Sequence, residues 1–165
     1  MKVKRAASIP LILHDPYFSI WSGTDKLYDS DTVHWCGKRQ KIRGYITIDG
    51  ESFCFMGDKE FHQVIPQTCV EITATGTKYT FENEKVILTA AFISPLLLEE
   101  PVLVSRPCTY VDFEVERKAG EADVTIDVQI SADLVRFTPG AVVGGSYRTD
   151  AFSYAVMGKA EQKPL

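Results

Sequence analysis

The sequence predicts an all-β fold, an antiparallel β-sandwich, and three observations predict it. Over residues 110–116 and 123–131 apolar and polar side chains alternate with period two, the mark of a strand with one oily face and one wet face. Asp49-Gly50 stands between two apolar runs, and both residues tolerate the positive φ that a tight hairpin turn demands. No segment carries a sustained 3.6-residue stripe with helix caps. Many short strands joined by polar turns pack best as two sheets facing across a core about 10 Å thick.

Taken in order, Tyr17-Phe18-Ser19-Ile20-Trp21 reads as a strand with Tyr17, Ser19 and Trp21 on one face, and Phe18 with Ile20 toward the core. Residues 42–48 and 52–56 flank Asp49-Gly50 and form a hairpin. Strand candidates follow at 63–74, 78–82, 85–93 and 102–106, separated by turn residues such as Thr75-Gly76 and Glu82-Asn83. In 110–116 Val111, Phe113 and Val115 make the oily face, and in 123–131 Val124, Ile126, Val128 and Ile130 do. The KAGE sequence between these two segments predicts a second hairpin. Residues 132–150, with Pro139, Gly140, Gly144 and Gly145, read as a long loop that is functional or mobile, before a last strand at 152–157.

The length of 165 residues suits one domain over 1–165, with a motif-rich segment at 9–60 and sandwich strands over 61–165. A hydrophobic fraction of 45% with 24% charged residues is ordinary for a globular chain. The net charge of −4 lacks the basic footprint that a phosphate backbone requires, so nucleic acid is not an expected partner. Nor is a membrane, because no apolar run approaches the roughly 20 residues of a spanning helix. The apolar patch at 9–13 is broken by Pro10 and falls short of a signal core of about 7–15 residues. A cytoplasmic location is expected, or a secreted one if a leader has been removed. Cys36, Cys54, Cys69 and Cys108 form no C-x-x-C pair and are expected to be buried free thiols; no metal site or cofactor is expected.

Chemically capable side chains concentrate between His14 and Trp35, a stretch holding both tryptophans, two of the three histidines, and Asp15, Asp25, Asp29 and Asp31. Such a mixture suits one wall of a pocket. Asp29 and Asp31 alternate along the chain and would either share a cation, flank a substrate hydroxyl, or form a solvated turn. His14 and His34 each suit a general acid, a substrate hydrogen-bond donor, or a histidine at the edge of the core. The Tyr17 and Trp21 face suits a sugar or another amphipathic small ligand, or else packing. Arg106, in Arg106-Pro107, presents a planar fork for a carboxylate, with a structural ion pair as the alternative. The sequence contains no G-x-S-x-G elbow, S-x-x-K pair, P-loop or G-x-G-x-x-G cradle, and so no self-contained active site is expected.

The segments IPLILHDPYFSIWS, DTVHWCGK and SPLLLEEPVLVSRPCTYVDFEV, in this order from Ile9 to Val115, resemble the amino-terminal region of the glutaminase A family. The resemblance implies a β-sandwich, part of a larger supersandwich-like domain, followed by a glucoamylase-like helical barrel in the same protein that would be its partner. It also implies hydrolysis of L-glutamine to L-glutamate and ammonia, with the principal catalytic groups in the barrel. The chain is thus expected to be an amino-terminal piece with little activity alone, its substrate glutamine or, if the sandwich serves a glycosidase-like enzyme, a sugar. Onto this sequence the resemblance carries His14, Asp15, Tyr17, Trp21, Asp31, His34, Trp35 and Arg106 as a substrate-binding or interdomain wall, with no catalytic role for any one of them.

Overall fold

The Asp49-Gly50 turn forms as its chemistry demands: φ is 51° at Asp49 and 84° at Gly50, and β4 (Ile42–Ile48) returns as β5 (Glu51–Met56). The structure is a computed structural model that describes residues 6–118, 120–136 and 138–161. Ahead of that hairpin come β1 (Ile9–Asp15), β2 (Phe18–Ser22) and β3 (Val33–His34), paired in the order β1-β2-β3. After it, β6 (Gln67–Ile72), β7 (Gly76–Glu82), β8 (Val86–Ile93) and β9 (Tyr110–Arg117) form a four-stranded antiparallel sheet. The fold is all-β, and its antiparallel sheets pack as a sandwich.

Alternating burial explains the layers. In β4 the residues facing inward are Ile42, Gly44, Ile46 and Ile48, and in β8 they are Val86, Leu88, Ala90 and Phe92. Phe55 of β5 joins the layers, its ring 5.7 Å from Phe81 of β7 and 5.6 Å from Phe113 of β9. Gly44 makes room for that ring, because a Cβ there would overlap its outer carbons. Across the other end of the four-stranded sheet, Thr77 Oγ1 donates to the Pro10 carbonyl of β1 at 2.7 Å.

Several expectations need correction. The segments at 110–116 and 123–131 do form strands, but not a hairpin: β9 pairs along its whole length with β8, while β10 (Val124–Ile130) pairs with β4. The chain between them crosses from one layer to the other, with Arg117 Nε donating to the Ala122 carbonyl at 2.9 Å; Ala119 of the KAGE sequence lies outside the described residues. Crossing lets Phe113 and Val115 of β9 and Val124 and Ile126 of β10 pack on one core from opposite sheets, while Val111, Val128 and Ile130 stay exposed. Residues 102–106 are not a strand either, since α1 (Pro101–Val104) is a single helical turn with Pro101 at its first position, where the missing N–H costs nothing. The predicted loop at 132–150 contains a 3-10 turn, Ala132–Val135, capped by Ser131 Oγ on the Asp133 amide, and then β11 (Val142–Arg148), which pairs with β12 (Ser153–Lys159). The strand candidate at 63–74 shortens to β6. Of the cysteines only Cys54 is buried; Cys36, Cys69 and Cys108 are exposed. Burial pushes the Cys54 thiol up to about 11.

The Asp49 turn is also a clasp between layers. Its amide donates to the Asp123 carbonyl at 2.9 Å, its carboxylate accepts from the Asp123 amide at 3.0 Å, and Lys85, just before β8, pairs with the same carboxylate. The hydrogen bond from Lys85, then that from the Asp123 amide, holds the Asp49 carboxyl below the usual carboxylate range. The folded chain therefore binds this proton less readily than the unfolded chain does. The resulting stability is present above the unfolded value of about 3.9 and is lost as pH falls through the lower folded value. Asp49→Asn, which keeps tolerance of positive φ, should flatten the loss of stability below about pH 4. Urea midpoints across that range check this, and equal pH slopes in both chains would count against the clasp.

Candidate functional site

The His14 to Trp35 stretch folds around one sharp corner. Asp15 ends β1, and its carboxylate accepts from the amides of Tyr17 at 2.7 Å and Phe18 at 3.0 Å, so the chain reverses over Pro16 into β2. The Pro16 carbonyl then accepts two ring N–H groups, His34 Nε2 at 3.0 Å and Trp35 Nε1 at 2.7 Å. A carbonyl can only accept, so the proton of His34 sits on Nε2, and Nδ1 faces the Cys36 amide at 3.3 Å and the Cys36 thiol at 3.0 Å. His14 stacks on Phe18 with ring centres 5.4 Å apart. Tyr17 and Trp35 remain exposed at the corner, at 74% and 63%.

The Tyr17, Ser19 and Trp21 face is not continuous. Ser19 is buried and accepts from the Trp21 indole at 2.5 Å, while Trp21 itself is half-buried opposite Val33 of β3. Irregular register between β1 and β2 accounts for the broken alternation.

Asp31 stands apart from the corner. It is buried, and its two carboxylate oxygens meet Arg43 at 3.3 Å and Lys41 at 3.5 Å; Arg43 also reaches Glu60 at 2.7 Å. The Glu60 hydrogen bond, followed by the charge of Asp31, raises the already high pKa of Arg43 against the opposing effect of burial. Asp29 pairs with Lys59 at 2.6 Å. The two aspartates of Asp29-Ser30-Asp31 thus face separate cations.

His14, Asp15 and Arg106 converge elsewhere, on a cleft of about 690 Å³ between β1, the β6–β7 turn and the segment 94–108. Leu96 and Val104 give it an apolar edge, exposed at 54% and 37%. Sequence reasoning missed two parts of this cleft, the Thr75-Gly76 turn and the Cys108 thiol. The apolar run with three prolines, SPLLLEEPVLVSRP, was the available signal, because a segment that can be neither strand nor long helix leaves its side chains outside the core.

Residues 75–165 match the family described as Domain of unknown function (DUF5127), and residues 2–66 match the family described as Domain of unknown function (DUF4964). A curated relative, glutaminase A of Aspergillus oryzae (strain ATCC 42149 / RIB 40), is 28% identical over 138 residues. The match covers 79% of this chain and 20% of the relative, so the chain spans only a fraction of that protein's length. No solved structure matches the chain.

The geometry separates buried, ion-paired residues of this stretch from exposed ones. Asp31→Asn should lower unfolding free energy by about 1–3 kcal/mol, because Arg43 and Lys41 lose a charged acceptor at a buried position. Tyr17→Ala should change it by less than about 0.5 kcal/mol. Urea unfolding of the two variants checks the contrast, and equal losses would contradict it.

Proposed function

The chain belongs to the family described as domain of unknown function DUF5127, and on that premise we propose that it is the amino-terminal β-sandwich region of a glutaminase A-like hydrolase. In this reading the longer protein converts L-glutamine to L-glutamate and ammonia. A helical-barrel domain of the same protein supplies the principal catalytic groups, and this sandwich supplies one wall of the site. The observation that carries the reading is the relationship to glutaminase A along 79% of the chain. What supports a wall rather than a complete active site is the engagement of the corner residues. The Asp15 carboxylate and the His34 ring are both held by neighbouring groups, as parts of the turn.

A carbohydrate-binding role is the second reading, favoured by the β11–β12 hairpin. Tyr147 and Tyr154 stack there with ring centres 5.1 Å apart, Phe152 adjoins them, and all three are exposed, a surface suited to the apolar face of a sugar ring.

Ammonia release from L-glutamine by the 165-residue chain distinguishes a wall from an enzyme. The expected result is no turnover above buffer, and sustained turnover by this chain alone would overturn the proposal.

A further inference from the structure

We infer that the cleft binds a small aliphatic carboxylate of amino-acid size, with the Arg106 guanidinium as its anchor. The inference rests on the reading as a glutaminase A-like region in one respect only, the choice of L-glutamine as the first ligand to test.

Arg106 is exposed and lines the cleft, and among the described residues no carboxylate pairs with it. The structural ion pair that the sequence offered as its alternative role is not formed among the described residues. Its backbone is fixed, the amide donating to the Leu103 carbonyl at 3.2 Å and the carbonyl accepting from Cys108 at 2.8 Å, so the side chain starts from a defined place. The one carboxylate lining the cleft, Asp15, is held by the Tyr17 and Phe18 amides. Beside the guanidinium, Leu13, Leu96 and Val104 give the cleft an apolar side. A planar cationic fork next to apolar wall matches a carboxylate carried on methylene groups: the fork takes both oxygens while the wall covers the chain. The volume of about 690 Å³ lies within the usual range of small-molecule sites.

The test is titration of the 165-residue chain with L-glutamine, with L-glutaminamide, which lacks a carboxylate, and with succinate, following the backbone amide resonances of residues 73–77, 104–106 and 108. Saturable shifts with L-glutamine are expected, weakened about tenfold or more with L-glutaminamide or in Arg106→Gln, and partly retained in Arg106→Lys, as befits loss of a charge-assisted hydrogen bond. The amide spectrum itself reports whether each variant is folded. Saturation by succinate but not by L-glutamine, dependent on Arg106, would uphold the carboxylate site while counting against the glutamine-directed reading. Equal binding of L-glutamine and L-glutaminamide, or no Arg106-dependent saturation with any of the three, would overturn the inference.

Discussion

The inward faces of β4, β5, β7 and β8 are oily, and the fold is the arrangement that gives those faces a common interior. Phe55 is the place where this constraint is tightest. Its ring touches both Phe81 and Phe113 of the facing sheet and lies against the bare backbone of Gly44. Any side chain at Gly44 would push the layers apart or turn the ring. The same constraint decides the route of the chain, because β9 and β10 reach one core only by joining different sheets.

Once the layers are set, the β1–β2 corner has little freedom. β1 is tied to β7 through Pro10 and Thr77, and β2 is bracketed by β1 and β3. Asp15, Pro16, His34 and Trp35 close the corner through backbone hydrogen bonds. Their polar atoms are thereby occupied as structure. The side of β1 that faces the 94–108 segment is different: it opens onto a cleft whose cation has no partner among the described residues. The two surfaces divide the motif-rich stretch into a frame and a face.

Strand alternation was legible where a strand had one wet side in its sequence, as in β9 and β10, and the Asp49-Gly50 turn was legible because few residues accept positive φ. Pairing was not. Two amphipathic neighbours such as β9 and β10 satisfy a hairpin and a crossover equally well at the level of pattern, and only the partners available in space decide. β11 was missed because Gly144 and Gly145 read as loop, although a Cβ at Gly144 would strike the Val156 carbonyl across the hairpin. For the candidate site, composition identified the right neighbourhood but not the grouping. Asp31 lies in an ion-pair network with Arg43, while Arg106, distant in sequence, joins His14 and Asp15 at the cleft.

The central claim is that the reactive-looking residues between His14 and Trp35 form a frame rather than a free acid–base apparatus. The tautomer of His34 tests it most directly, read from the ring nitrogen shifts in a long-range proton–nitrogen correlation spectrum of the folded chain. The account predicts a single tautomer with the proton on Nε2, held by the Pro16 carbonyl. A ring that exchanges between both tautomers, or carries its proton on Nδ1, would contradict it.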